Sequence, residues 1–399
     1  MVIKIKKLNI YTIFWFYIWN VDTLVAYFRA AMVRIPFIGQ YVFIPFAVFH
    51  ISLMFFSLPY IKKYIKWKDI LGFAVFTIAY ILSCMINNKT RNYLLDNIFQ
   101  VLILTVPLYF LGLSFDEKRQ EVLSMMKITS LISIPLHFLF VLAVGVGNIT
   151  QVEDNMSYAY RILPHICLCF AVFVNEKKKT YLFASLAGLL LIFFFGSRGC
   201  SLLGFSFMVV YFVFFREKKN IKISLGISAI GLVLIVFYEK ILLFLNNLFN
   251  KLGYNTRIFQ QLLSGWFFTS YGRDEIRIEA IELIKQNPVW GYGIAGDRQL
   301  MIADYAHNFI LEMLLSFGVV AGTLGILCIV IYLIRAVFIS KNMDYRTIIL
   351  VLVFGNGFLK LFLSGTYLLE YQFFLLLGIC VSAVRRRKHY KKYEVLSLL

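Results

Sequence analysis

Side chains that could do acid–base chemistry gather between positions 291 and 312. A glycine-rich loop begins at Gly291, and His307 follows it at the start of a long apolar segment. Histidine is the side chain best suited to accept a proton near neutral pH. A helix N-terminus disfavours imidazolium, so a ring there stays neutral, and Asn308 and Glu312 are near enough along a helix to orient it. The pattern predicts a general base at His307, with a purely structural histidine as the alternative.

The glycines of this loop match the spacing of a dinucleotide-binding fingerprint, GxGxxG. That fingerprint needs a strand before it and a helix after it, inside a βαβ unit. Here a helical pattern and Pro288 precede the loop, and an apolar segment follows it. We therefore reject nucleotide binding, and expect Gly291 and Gly293 to form a tight turn that brings the backbone close to a ligand.

The composition of the chain predicts which elements position His307 and the glycine-rich loop. Hydrophobic residues make up 60% of the 399 residues and aromatic residues 18%, and the mean hydropathy is +0.78. Soluble domains are closer to half apolar, with about a quarter of their residues charged. The sequence therefore predicts an all-α polytopic membrane protein. Runs of roughly 20 apolar residues, the length that spans a bilayer, predict about 12 transmembrane helices, near residues 8–28, 37–60, 69–87, 93–113, 126–146, 157–175, 180–197, 199–215, 221–240, 305–335, 346–364 and 366–384.

Basic residues predict the orientation of these helices. Lys and Arg concentrate at the N-terminus, in alternate gaps between the apolar runs, and in the C-terminal tail. Because cytoplasmic loops are enriched in Lys and Arg, both termini are predicted to be cytoplasmic. Much of the net charge of +19 is then a topology signal, and we expect no nucleic-acid partner. The predicted organisation is helices 1–9 in residues 1–240, an extracytoplasmic loop with the site motifs in 241–304, helices 10–12 in 305–384, and a basic cytoplasmic tail in 385–399.

The long outer loop is the only sizeable region predicted outside the membrane. Residues 241–268 mix Leu and Phe with Asn and basic residues, which favours amphipathic helices lying in the interface. A helical pattern then runs from Gly272 to Pro288. Arg273 and Arg277 share a face of that helix, where two guanidinium groups could hold a diphosphate. A solvated helix in which Asp274 pairs with Arg277 explains the spacing equally well.

Two motifs resemble one family. The Gly-Tyr-Gly at 291–293, the Ala-His-Asn-Phe-Ile-Leu-Glu at 306–312 and the Phe-Gly at 317–318 resemble the signature of the O-antigen ligase and polymerase superfamily. The Phe-Gly-Ser-Arg-Gly at 195–199 resembles its second motif, at the outer end of a helix hairpin. The resemblance covers roughly residues 185–340. Together with residues 156–161 and 272–274, it is most similar to the capsular, O-antigen and exopolysaccharide repeat-unit polymerases.

This resemblance implies a fold and an activity. The fold would be similar to C-type glycosyltransferases, and the donor would be a polyprenyl-diphosphate-linked oligosaccharide on the outer face of the cytoplasmic membrane. The partners implied are that donor, the growing lipid-linked glycan and membrane lipid, with a flippase and a chain-length regulator as further candidates. Carried onto this sequence, the resemblance makes His307, Arg198 and Arg273 the catalytic residues of an inverting transfer.

Ionisable residues in the apolar segments add candidates for substrate binding. Such residues are costly in a membrane and are usually functional or paired. Arg161, Arg198, Lys360 and Glu370 all fall towards the predicted outer ends of their helices, where a lipid diphosphate would lie. Snorkelling of single side chains to the interface is the alternative. The sequence thus predicts a lined cavity on the outer side, with the substrate-binding set Arg161, Arg277, Gly291, Gly293, Asn308, Glu312 and Lys360.

Neither a cofactor nor a metal ion is expected. The sequence has no Asp-x-Asp motif or His/Asp cluster suited to a divalent ion, and its six cysteines lie in or beside apolar segments. Two rival functions stay open. A ligase would use the same donor but transfer the glycan to a different acceptor. A flippase or other transporter of lipid-linked oligosaccharide would also have many helices and buried basic residues, but transporters often show internal repeats, and we find none.

Overall fold

The described part of the chain is helical throughout. The computed structural model describes residues 9–32, 43–88, 90–144, 155–194, 198–215, 238–251, 273–298, 300–301, 305–340 and 343–396. Every long regular element in these ranges is a helix, which confirms the all-α prediction. In chain order the α-helices are α1 (Ile10–Met32), α2 (Phe43–Ile61), α3 (Trp67–Ile86), α4 (Arg91–Phe99), α5 (Leu108–Leu113), α6 (Arg119–Val144), α7 (Asn155–Glu176), α8 (Lys179–Phe194), α9 (Arg198–Phe214), α10 (Tyr238–Lys251), α11 (Arg273–Gln286), α12 (Phe309–Ile339), α13 (Met343–Leu352) and α14 (Tyr371–Leu396).

Seven helical stretches in the described ranges are long and apolar enough to cross a membrane. They are Phe43–Tyr64, Trp67–Ile86, Arg91–Leu113, Arg119–Val141, Ser157–Glu176, Phe309–Ile339 and Met343–Phe362. Lys179–Ile192 and Gly199–Phe214 are apolar but shorter. The seven long stretches expose large apolar side chains. Phe55, for example, is 66% exposed and Phe338 is 70% exposed, as expected of surfaces that face lipid. The chain is a polytopic membrane protein, while the total of 12 spans stays a prediction. The predicted span 221–240 lies almost wholly outside the described residues.

Four predicted spans differ from the helices observed. The segment 93–113 is α4 and α5 with a π-helix (Gln100–Thr105) between them. The segment predicted as one helix at 305–335 is broken at Gly318, whose φ of 74° and ψ of 174° are not helical. The segment 346–364 is α13 followed by a π-turn (Val353–Gly357) and a 3-10 turn (Leu359–Phe362), because Gly355 also leaves helical geometry. The last helix starts at Tyr371 and continues to Leu396, through the segment predicted as a basic tail.

The chain divides into two compact units. The first comprises residues 1–126 and 272–399, and the second comprises residues 127–271. In the first unit, α14 packs against α5 and α12. Arg385 of α14 donates two hydrogen bonds to Asp69 at the start of α3, at 2.6 and 2.8 Å, and Tyr109 donates a third at 2.8 Å. A bidentate pair of this kind fixes both position and direction, so the basic end of α14 is held to the rest of this unit.

The second unit is organised around α7, which packs against α8 and α9. The side chains of α7 are mostly buried, including Tyr158, Ile162 and Ile166. Hydrogen bonds also join α7 to its neighbours: His165 shares one with Ser130 of α6 at 3.0 Å. Ser185 of α8 donates to the carbonyl oxygen of Ile166 at 3.0 Å. Buried polar groups matched in this way fix the register of neighbouring helices.

Candidate functional site

The glycine-rich loop is held between two helices of the first unit. Its backbone donates to the carbonyl oxygens of α12, from Tyr292 to Leu315 at 2.7 Å and from Gly293 to Ser316 at 3.0 Å. On its other side, the Ile294 amide donates to the Ser83 hydroxyl of α3 at 2.9 Å. Hydrogen bonds from its backbone amides thus hold the loop on two sides, against α12 and α3.

The glycines of the loop permit this close approach. Gly291 has a φ of 64°, and a Cβ atom there would lie 2.6 Å from the amide nitrogen of Gly318. Gly293 has a φ of 83°, and a Cβ atom there would lie 2.9 Å from the Ser83 hydroxyl. The expected tight turn is therefore present, but the close neighbours of its backbone are α12 and α3 of this chain. Substrate binding by Gly291 and Gly293 stays a prediction.

His307 lies just before the first turn of α12. Its φ of 49° is in the left-handed region, which non-glycine residues seldom adopt. Asn308 caps the helix: its side-chain oxygen accepts from the amides of Ile310 and Leu311, at 3.0 and 3.3 Å. The histidine is thus at a helix entrance, as the sequence indicates, and it is half-buried. The side-chain oxygen of Asn308 is therefore used to cap α12, next to His307, and is not free to orient the histidine ring.

Glu312 is turned into the protein on the first turns of α12. Only 2% of the residue is exposed. Its carboxylate accepts a hydrogen bond from the Thr366 hydroxyl and one from the Tyr367 amide at 3.4 Å. It also lies 3.7 Å from a guanidinium nitrogen of Arg298. The sequence grouped Glu312 with His307 as an orienting partner, and these contacts tie it to Arg298 and Thr366 instead.

Arg298 is the most deeply buried cation of this region, with 4% of the residue exposed. Its guanidinium carbon lies 5.0 Å from the ring centre of Tyr93 and 4.4 Å from that of Tyr305, within the range of cation–π attraction. The Tyr305 ring in turn lies on the ring of His307, with centroids 3.6 Å apart. We call these four residues, His307, Tyr305, Arg298 and Tyr93, the His307–Tyr93 stack.

Asp297 fixes the loop next to this stack. Its carboxylate is fully buried and accepts from the Ala306 amide at 3.1 Å, which joins the end of the glycine-rich loop to the residue before His307. Burial raises the pKa of Asp297, and the neighbouring Arg298 guanidinium and backbone amides oppose that rise. The loop therefore sets the position of His307 through a short, buried contact.

A cavity of about 630 Å³ opens beside the stack. Tyr93, Arg298 and Tyr305 line one part of it, and Lys360 and Glu370 line another. The Lys360 ammonium lies 2.5 Å from the Glu370 carboxylate, and both side chains are largely buried. The volume is within the range of pockets that enclose small ligands, about 300–1,000 Å³. Of the four residues predicted to line a cavity, Lys360 and Glu370 line this one, which lies in the first unit. A cavity shared with Arg161 and Arg198 stays a prediction.

The two arginines of the outer loop are on α11. Arg273 is the first residue of that helix and is half-buried. Arg277 is exposed and lies 3.4 Å from Asp274, which is the pairing that the sequence left open as the alternative. The helix is anchored by Ala280, which is buried with Leu315 of α12 in one apolar cluster. Residues 252–272, which include most of the predicted interfacial segment, lie outside the described ranges, whereas α10 covers its beginning.

The other two predicted arginines belong to the second unit. Arg161 is half-buried on α7. Arg198 is the first residue of α9, so Arg198 and Gly199 of the Ser-Arg-Gly motif begin a helix. Residues 195–197 and the side chain of Arg198 lie outside the described part of the chain. The proposed roles of Arg161 and Arg198 in holding a diphosphate stay predictions.

Six residues of the cavity wall were not predicted from the sequence: Tyr93, Arg298, Tyr305, Gly365, Thr366 and Leu369. Arg298 had a signal: two adjacent charged residues, Asp297 and Arg298, end a loop whose other members are glycine and apolar residues. Tyr93 had none, because it reaches the site from α4, about 200 positions away in sequence. Within the described ranges, no three His, Cys, Asp or Glu side chains come together in a way that could hold a metal ion.

Comparison with known proteins adds a family. Residues 182–326 match the model of the family described as O-antigen ligase, and this range contains both motifs, at 195–199 and 306–312. No curated protein matches the chain at a significant level. The match supports the resemblance of residues 182–326 to the O-antigen ligase and polymerase superfamily.

Proposed function

We propose that the protein is a repeat-unit polymerase with a fold similar to C-type glycosyltransferases. It joins polyprenyl-diphosphate-linked oligosaccharides on the outer face of the cytoplasmic membrane. The observation that carries the proposal is His307, a half-buried histidine in a strained backbone conformation, whose ring contacts, at a tilt of 37°, a tyrosine of a sugar-sized cavity. Backbone strain concentrates at functional sites, where the surrounding structure holds it in place.

The proposed reaction is a single displacement at the anomeric carbon. A hydroxyl oxygen of the acceptor sugar attacks that carbon from the face opposite the diphosphate, and a new carbon–oxygen bond forms. The bond to the diphosphate breaks, and its electron pair leaves with the polyprenyl diphosphate. His307 accepts the hydroxyl proton as general base. The configuration at the anomeric carbon is inverted, and retention in the product would contradict a single displacement.

Arginines are proposed to hold the departing diphosphate. Negative charge grows on that group as the bond breaks, so fixed guanidinium groups lower the energy of the transition state. We assign this role to Arg198 and Arg273, with Arg161 or Arg277 assisting. Arg277 would have to exchange its exposed partner Asp274 for the phosphate, which costs little because exposed pairs contribute only about 0–1 kcal/mol.

The polyprenyl diphosphate is already a good leaving group, and we propose that transfer needs no metal ion. Activity that is lost with EDTA and restored by magnesium would contradict this. We also propose that both termini are cytoplasmic and that the cavity faces outwards. The supporting observation is that the loop from 291 to 298 contacts the end of α3 and the beginning of α12, two helix ends to which the charge pattern assigns the outer side.

A ligase is the second candidate, because the matched family is described as O-antigen ligase. The two functions separate in one assay with the purified, full-length protein in detergent and a synthetic polyprenyl-diphosphate oligosaccharide, with products resolved by gel. A ladder of repeats from the donor alone supports the polymerase. No product until a different acceptor is added, followed by a single transfer, supports the ligase. Transport of labelled lipid across liposome membranes without any glycosyl transfer would contradict both the polymerase and the ligase, and would favour the transporter.

A further inference from the structure

The cavity beside the His307–Tyr93 stack already has its charges matched. Lys360 lies 2.5 Å from the Glu370 carboxylate. Arg298 lies 3.7 Å from the Glu312 carboxylate and 3.8 Å from that of Asp297. Each lining cation thus has at least one carboxyl group within salt-bridge distance, and one ionised carboxylate is enough to balance Arg298.

Matched charges make the cavity a poor place for a diphosphate. An anion entering it would meet Glu370 as well as the cations, and taking Lys360 from Glu370 or Arg298 from Glu312 would leave a buried carboxylate without its partner. A diphosphate is better held by guanidinium groups that can present several donors without a carboxylate between them. The described wall of this cavity offers no such group.

The same wall is suited to a neutral sugar. Tyr93 and Tyr305 supply aromatic surface, with polar tips, against which the apolar face of a sugar ring can pack. The ion pairs and the Thr366 hydroxyl supply charged and neutral partners for sugar hydroxyls, and hydrogen bonds to charged groups are the strong ones. Tyr305 joins this wall to His307, because its ring lies on the histidine ring.

We propose that this cavity is the acceptor subsite, and that it binds an uncharged sugar residue of the acceptor glycan. The inference rests on the proposed glycosyl transfer and adds the class of sugar and the residues that hold it. Lys360 and Glu370 bind sugar hydroxyls together as a pair, and Lys360 does not hold the diphosphate. The donor diphosphate binds outside this cavity.

The test separates the two ligands physically. Purified full-length protein in detergent is titrated with two probes by calorimetry. The first is a set of neutral oligosaccharide fragments of the source cell's own polysaccharide, and the second is farnesyl diphosphate, which carries no sugar. Two variants alter the cavity. Lys360→Met/Glu370→Met removes both members of the ion pair, so neither charge is left unpaired. Leu369→Trp fills the cavity with a larger side chain and leaves every charge in place.

Both variants are expected to weaken binding of the oligosaccharide by about tenfold or more. The double variant loses hydrogen bonds to charged groups, which have effects of this size, and the tryptophan occupies the space of the sugar. Binding of farnesyl diphosphate is expected to stay within about twofold of wild type, which also shows that the variants are folded. Weakened binding of farnesyl diphosphate with unchanged oligosaccharide binding would overturn the subsite. So would equal loss of both probes at an unchanged melting temperature. A wild-type protein that binds neither probe would contradict the proposed function itself.

Discussion

The ring of Tyr305 lies on the ring of His307, with centroids 3.6 Å apart, and the same tyrosine contacts the buried guanidinium of Arg298. Tyr305 therefore joins the proposed general base to the cavity wall. A base that must meet one hydroxyl needs its ring held in one place, and this stack is the part of the structure that can do so.

The first prediction concerns the Tyr305 ring. Tyr305→Leu is expected to lower the rate constant kcat by about 10- to 100-fold, because small misplacement of a catalytic group has effects of this size. KM for the acceptor should rise as well, because the same ring lines the proposed acceptor subsite, so the fall in kcat is the part that reports on the position of the base. Tyr305→Phe keeps the ring and loses only the contact of its oxygen with the Gly365 amide, at 3.3 Å; it should stay close to wild type. Equal rates for the two variants would show that the ring does not position His307.

The second prediction concerns the break in α12. A Cβ atom at Gly318 would lie 2.1 Å from the carbonyl oxygen of Val289, and its φ of 74° disfavours any side chain. Gly318→Ala is expected to reduce the free energy of unfolding by about 3 kcal/mol, combining backbone strain with overpacking. The matched control is Gly72→Ala, since nothing lies within 4 Å of a Cβ atom there. Melting in detergent should distinguish the two, and equal melting temperatures would contradict the close packing of α12 on the loop.

The third prediction concerns Arg298. Arg298→Met leaves two buried carboxyl groups without their cation, which typically costs about 3–5 kcal/mol of stability. The added change Glu312→Gln should recover part of this loss because it removes one of those carboxylates. Arg277→Met, which breaks the exposed pair with Asp274, should cost less than about 1 kcal/mol. If the melting temperatures of Arg298→Met and Arg277→Met matched, Arg298 would not be a structural cation of the site.

The fourth prediction concerns orientation in the membrane. Trp290 is 83% exposed beside the glycine-rich loop, and the Lys63 side chain is 57% exposed in a gap predicted to be cytoplasmic. In a background in which exposed Cys328 is replaced by Ala, Trp290→Cys should react with a membrane-impermeant maleimide in intact cells. Lys63→Cys should react only after the membrane is permeabilised. The reverse pattern would invert the map and put the cavity inside.

Much of the fold could be predicted from local sequence, and the particular misses have physical causes. Apolar runs of spanning length are visible without any knowledge of neighbours, so α3 and α7 begin and end within two residues of their predicted bounds. The break at Gly318 could not be predicted, because it depends on the distant loop whose Val289 carbonyl fills the space of a side chain. The extension of α14 to Leu396 is similar, since Arg385 is held there by Asp69, which is more than 300 positions away.

The candidate site divides in the same way. His307 and its helix entrance could be predicted, because the capping residue and the apolar run are adjacent in sequence. The cavity around Lys360 and Glu370 could be predicted only as two costly charges in apolar surroundings. Their pairing with each other, and the arrival of Tyr93 from α4 beside Arg298, are tertiary relationships that no local pattern records.

The central claim is that His307 takes the acceptor proton, and it is tested by comparing polymerisation rates of His307→Ala, His307→Gln and Arg277→Lys with wild type. The purified full-length proteins are given the same synthetic polyprenyl-diphosphate oligosaccharide, and the repeats formed per minute are counted on a gel. General-base catalysis typically contributes about 10²- to 10⁴-fold. We therefore expect both His307 variants to lose the ladder by at least about 100-fold, while they still bind farnesyl diphosphate as wild type does. Arg277→Lys should retain a ladder. A His307→Ala protein that extends the glycan at a rate within a fewfold of wild type would contradict the account.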